Sequence, residues 1–188
     1  MYKAEFNNRS IADAGLKDFY VYLEDDFDPT HISDTTLLKG TDYATKVGFI
    51  DYFSDTRKLF NYSASMATGG FYSGKISMIN GQMSYRFQPY LNLSVHCSYT
   101  DINLPDPFER AKFWLIGPKV DLTLSDKVFF STFVQYNEQI ENMNINMRFQ
   151  WRYKPVSDLF LVYTGNYFTG DWGPRNRALV VKLSYWFN

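Results

Sequence analysis

Along residues 142–153, NMNINMRFQWRY, apolar and polar side chains alternate without a break. Met143, Ile145, Met147, Phe149, Trp151 and Tyr153 form one set. Asn142, Asn144, Asn146, Arg148, Gln150 and Arg152 form the other. A two-residue period puts the sets on opposite faces of a β-strand, whereas a helix would scatter both around its circumference. The alternation recurs in 91–100, where Leu91, Leu93, Val95, Cys97 and Tyr99 oppose Asn92, Ser94, His96, Ser98 and Thr100. It recurs again in 60–66, 79–87, 118–124 and 178–187. Segments 128–136 and 158–164 alternate less cleanly, because Phe129, Phe133, Phe160 and Val162 fall on the otherwise polar face. The region 43–53 is strand-like but mixed. Before residue 40 the pattern weakens, and 2–6 and 19–23 are only candidate strands.

The connections predict antiparallel hairpins of two alternating kinds. SDTRK (54–58), QPY (88–90), LSDK (124–127) and KPVSD (154–158) are short and rich in turn residues. GGFYSGK (69–75), INLPDPFER (102–110), NEQIEN (137–142) and NYFTGDWGPRNR (166–177) are more varied, and parity adds 28–42 to this second set. Short turns at one rim and longer loops at the other are the rhythm of a transmembrane β-barrel. Strand length points the same way. Soluble strands mostly run about 5–6 residues, whereas a tilted strand crossing a bilayer needs about 9–11. Aromatics close several segments, as Tyr85 with Phe87, Trp151 with Tyr153, and Tyr185 with Phe187, the placement of an interfacial girdle.

Composition sharpens this picture. The chain has 188 residues with a net charge of −1, so nothing electrostatic favours nucleic acid as a partner. Aromatic residues make up 19%. A single cysteine excludes an internal disulfide and a multi-cysteine metal site. Mean hydropathy is −0.33, and no apolar run reaches the roughly 18 residues of a membrane helix. Neither fact argues against a membrane β-barrel, whose strands alternate between lipid and lumen. The stretch MYKAEFNNRS lacks the basic and apolar regions of a secretory signal. Because an outer-membrane protein must be exported, either this chain is a C-terminal piece of a longer precursor that carries the signal, or the membrane reading fails.

The chain ends KLSYWFN, with Leu183, Tyr185 and Phe187 alternating up to the penultimate position. This resembles the terminal signal by which outer-membrane barrels are recognised by the barrel-assembly machinery, although Asn188 follows the aromatic. The elements GGFYSGK, FQPYLNLSV, YNEQIENMNINMRFQWRYKPVSDLFLVY and ALVVKLSYWF further resemble the C-terminal outer-membrane β-barrel domain of a Gram-negative family of unknown function. The likeness covers roughly residues 40–187. Full-length members of that family carry a signal peptide and a family-9-like carbohydrate-binding domain first, and several bear a hydrolase label. The carbohydrate-binding domain has no counterpart here, and the hydrolase label has no residue to rest on. The resemblance implies a truncated member or fragment.

Candidate chemistry is sparse. His96 shares the polar face with Ser94 and Ser98, and a Ser–His pair is what a barrel hydrolase would use. The spacing along one strand face, roughly 7 Å, favours a plain lumen residue. His31 lies near Asp26, Asp28 and Asp34, but DDFDPTH lacks the spacing of a calcium loop. Cys97 reads as a small apolar side chain. Arg86, His96, Lys119, Asp121, Arg148, Arg152 and Lys182 are the candidate lumen-facing residues. They would either attract anions or pair with one another, filling a narrow interior. Trp172, in the loop 169–177, is a candidate for stacking on a glycan.

The reading is an all-β, antiparallel transmembrane β-barrel, an up-and-down meander of about 10 strands, nine of them readable from residue 43 on and a tenth expected near 14–24 from the even-count rule, in one domain over 1–188 with 1–40 poorly defined. It belongs in the cell outer membrane, as a complete wall or an incomplete portion of a larger barrel whose open edges would invite aggregation. Its expected role is membrane anchoring and display, or glycan-related binding or passage, without catalysis, metal or cofactor. The expected partners are the lipid bilayer, the barrel-assembly machinery and extracellular glycans. The alternatives are an outer-membrane hydrolase of esterase or phospholipase type, and a soluble ligand-binding β-barrel.

Overall fold

The computed structural model describes residues 1–30, 32, 35–170 and 172–187. Among these it contains eleven strands and no helix. They are β1 (Tyr2–Glu5), β2 (Ile11–Tyr22), β3 (Asp42–Phe53), β4 (Phe60–Phe71), β5 (Gly74–Phe87), β6 (Leu91–Asn103), β7 (Ala111–Thr123), β8 (Val128–Asn137), β9 (Asn142–Lys154), β10 (Ser157–Phe168) and β11 (Pro174–Leu183). Each strand pairs with its neighbour in sequence, in a single eleven-stranded antiparallel meander. The sheet is open, since β1 and β11 each have a ladder on one side only.

The expected count of ten, resting on the even-number rule, falls one short. The tenth strand expected near 14–24 is β2. The extra strand is β1, held to β2 by four residue pairs from Tyr2↔Ala14 to Glu5↔Ile11. Other boundaries also differ. The segment GGFYSGK is almost all strand, reduced to a tight turn at Tyr72 and Ser73 with Tyr72 at φ +48°. Here Gly69 is required by a close approach. A Cβ on it would collide with the backbone of Lys46 and Val47. At the other end, β11 begins at Pro174 and stops at Leu183, so the 166–177 loop shrinks and Tyr185 and Phe187 lie beyond the strand. Asn188 lies outside the described residues.

The described chain groups into two compact units that share strands β4 to β7. The first contains residues 1–57, 62–82 and 97–114. Its faces are opposite in exposure to those of a soluble sheet. On β4 the apolar set is the exposed one, with Tyr62 at 42% and Met66 at 50%, while Ser63 and Ser65 between them are half-buried. Ile79 on β5 is likewise 51% exposed and Asn80 half-buried. Towards the 72–73 turn the less exposed face changes character. Ile76, Ile102, Leu104 and Ala111 bury there, with Phe71, Met78 and Phe113 packed against them.

The second unit contains residues 58–61, 83–96 and 115–188. Among its described residues, only Gly117, Ser157 and Gly165 are buried. Among these described residues no large apolar side chain is buried, although Met83, Leu93, Ile116, Met147, Leu161 and Val181 sit on its strands. Its order comes from continuous ladders. β8 pairs with β9 from Val128↔Trp151 to Asn137↔Asn142, and β9 with β10 from Lys154 to Asn142. These registers carry the parity of 142–153 onto its neighbours. Ile145 faces Val134 and Gly165, and Arg148 faces Ser131 and Val162.

Candidate functional site

The second unit gathers most of the charged residues expected on one face. β7 presents Lys119 and Asp121, and its ladder to β8 sets Asp121 opposite Ser131. Ser131 Oγ donates to Asp121 Oδ1 at 2.6 Å, Lys119 Nζ lies 2.9 Å from Oδ2, and Asn92 Nδ2 donates to Oδ2 at 3.3 Å. Asp121 is thus satisfied by three neighbours from three strands. Next along the row is Arg148, the register partner of Ser131. Its guanidinium lies over the Phe160 ring, 4.9 Å from the centroid, and Nη2 donates to Gln150 Oε1 at 3.2 Å. Phe160 is one of the aromatics that spoiled the alternation of its strand, and the cation above it gives it a partner on a polar face.

A second carboxylate completes the row. Asp158 Oδ1 accepts from Gln150 Nε2 at 3.0 Å and from Arg152 Nε at 3.3 Å. Arg152 also reaches towards the Phe129 ring, 6.0 Å from its centroid. Asp158 is absent from the sequence-based candidates because KPVSD reads as a turn. The turn is only residues 155–156, with Val156 at φ +57°, and Asp158 already belongs to β10 opposite Arg152. The hairpin's parity could have revealed this. Beside Asp121 lies a recess of 410 Å³ whose lining includes Lys119, Asp121, Phe129, Ser131, Arg148 and Gln150. Lys119 and Arg152 each keep 46% of their side chains exposed. The row is a paired but wet polar surface, able to orient water or bind a polar group through its guanidinium and ammonium donors.

The remaining candidates do not join this row. Arg86 Nη2 donates to the Lys58 carbonyl at 3.0 Å, at the short-turn end. Lys182 is the register partner of Phe160 and is exposed. His96 is exposed, and among the described residues no serine is hydrogen-bonded to it, Ser98 donating instead to Asn80 Oδ1 at 2.6 Å. The hydrolase arrangement of Ser94, His96 and Ser98 is therefore not assembled. Cys97 is a free thiol, half-buried. Between β2 and β3, Asp26 and Asp28 serve their own segment. Asp28 Oδ1 accepts from the Thr30 amide and hydroxyl, both at 2.8 Å, and Asp26 from the Lys39 amide. His31 and Asp34 lie outside the described residues, among which no group of three metal-ligating side chains occurs. Trp172 is 64% exposed at φ +56° in the five-residue connection 169–173.

At the chain's end, Tyr153 Oη donates to the Ser184 carbonyl at 2.8 Å, and Lys154 Nζ donates to Tyr185 Oη at 3.2 Å. Tyr185 and Phe187 meet edge to face at 4.5 Å between centroids. These contacts anchor residues 184 and 185 against the β9 end although no strand continues there.

The fold and this polar row define the chain as an open, all-β antiparallel meander with an exposed apolar face. No family model, curated protein or solved structure matches it.

Proposed function

We propose that this chain is the wall of an outer-membrane β-barrel, with its apolar face against lipid and the Asp121–Arg148–Asp158 row towards the lumen. Its role on this reading is non-enzymatic: membrane anchoring and display, or the binding or passage of glycans. The observation that carries the reading is that, among the described residues of the second unit, no large apolar side chain is buried. Ordering a residue costs about 1–2 kcal/mol of backbone entropy. In water the main offset is apolar burial at about 25 cal/mol per Å². This unit has almost none, so its exposed Met83, Leu93, Ile116, Met147 and Val181 need an apolar solvent. Strand lengths support the same reading, since every strand but β1 has 10 to 14 residues, enough to cross a bilayer.

The open edges of β1 and β11 must be covered in lipid, because unpaired backbone groups are not tolerated there. On this reading, further strands or a second sheet complete the wall.

The test is refolding of the full chain from urea into detergent and into phosphatidylcholine vesicles. Gel migration that shifts on boiling, with co-flotation with the vesicles, is the expected result. A monodisperse protein in detergent-free buffer that stays out of the vesicles overturns the reading.

A further inference from the structure

The less exposed face of the first unit is apolar towards the 72–73 turn, and there it surrounds a cavity of 330 Å³. Its walls include Phe19 and Val21 of β2, Val47 and Phe49 of β3, and Ile76 and Met78 of β5. The floor belongs to the buried cluster around Ile76. Phe71 and Tyr72 close the end at the 72–73 turn, with Tyr43 packed edge to face on Tyr72 at 5.2 Å. Small residues make the space. Gly70 stands against Thr45, where a Cβ would lie 3.0 Å from the Thr45 Cβ. The size is at the lower end of the roughly 300–1,000 Å³ of small-molecule pockets.

One charge borders this apolar space. Lys17 Nζ lies 4.5 Å from the centroid of the Phe49 ring. Among the described residues no carboxylate comes within ion-pairing distance of it. The nearest acids on the same face of β2 and β3, Asp13 and Asp51, are register partners four residues along from the Lys17↔Val47 pair, roughly 13 Å away. In the other direction the apolar wall runs from Lys17 to Val21, again roughly 13 Å. The cavity is therefore an apolar slot with an ammonium at one end and aromatic rings at the other.

We propose that this slot binds a single-chain amphiphile with an anionic head, a free medium-chain carboxylate. The acyl chain lies along Phe19, Val21 and Met78, and the carboxylate meets Lys17 Nζ. Burial of the chain supplies the affinity, and the lone cation selects the sign of the head group. The proposal does not rest on the membrane reading, because it concerns the face opposite the exposed apolar one.

The experiment is equilibrium binding of radiolabelled decanoate to the full chain held in an amphipathic polymer, against polymer alone. The expected result is saturable binding of one decanoate per chain, with decyltrimethylammonium at least tenfold weaker. Lys17→Glu weakens decanoate at least tenfold, Lys17→Gln weakens it less, and Met78→Trp, which fills the slot, removes binding. Decanoate binding that does not saturate, or is unchanged in both Lys17 variants, overturns the proposal. So does equal binding of the two probes.

Discussion

Arg152 and Asp158 face one another across the β9–β10 hairpin, with Nε 3.3 Å from Oδ1. They stand six positions apart in the chain, and the two-residue turn between their strands brings them into register. Asp158→Asn should leave Arg152 without its carboxylate while keeping the Gln150 contact. Because Arg152 is half exposed, the expected cost is about 1 kcal/mol or less, read from urea midpoints after refolding. A double-mutant cycle with Arg152→Gln should recover most of it as coupling.

The two faces of β9 should respond differently to the same charge. Ile145 lies on the apolar face opposite Val134 and Gly165, and Asn146 on the other face, donating to Thr164 Oγ1 at 3.0 Å. On the membrane reading Ile145→Arg costs about 2–4 kcal/mol, and Asn146→Arg clearly less. Denaturant titration in vesicles measures both, and equal costs would count against lipid on the Ile145 side.

Two glycines of β5 provide a steric contrast. A Cβ on Gly74 would collide with the backbone of Asn103 and Leu104, whereas a Cβ on Gly81 meets nothing within 4 Å. Gly74→Ala should destabilise by about 1–3 kcal/mol, as overpacking does. Gly81→Ala should stabilise by about 0.5–1 kcal/mol, by restricting the unfolded chain. Thermal melts of the two variants, refolded side by side, check the pair.

Tyr72, in the β4–β5 turn, touches Tyr43, Phe71 and Phe27 through its ring. Burial first, and then the Tyr43 phenol, raise its hydroxyl above the ordinary tyrosine value. For a group raised on folding, the neutral form is favoured in the native state. Its contribution to stability is therefore fully present below about pH 10 and is lost as pH rises through the folded value. Tyrosinate absorbance of the native protein, minus that of Tyr72→Phe, should show one phenol titrating later than in the unfolded chain. An ordinary midpoint for that phenol would refute the assignment.

Much of the fold was legible because a strand's side-chain period is two and does not depend on what surrounds it. NMNINMRFQWRY has its two faces and its length written in parity, and its antiparallel neighbours in the short connections that flank it; the structure keeps its strand span and both antiparallel pairings. The acyclic parts were harder. β1 and the start of β11 carry little alternation, and they form because a neighbouring ladder supplies hydrogen-bond partners. GGFYSGK looked like a loop because glycines signal turns. Here Gly69 and Gly74 instead permit close backbone approach within strands.

The candidate site divides along the same line. Strand parity assigns residues to a face, so Lys119, Asp121, Arg148 and Arg152 could be grouped before any coordinates. Which of them meet follows from the folded sheet, because pairing across strands depends on register, and a turn three residues shorter than it looks moved Asp158 into line with Arg152. The apolar slot beside Lys17 was invisible for the same reason. Its walls come from β2, β3, β4 and β5, and no local pattern records how far apart the ladders hold them.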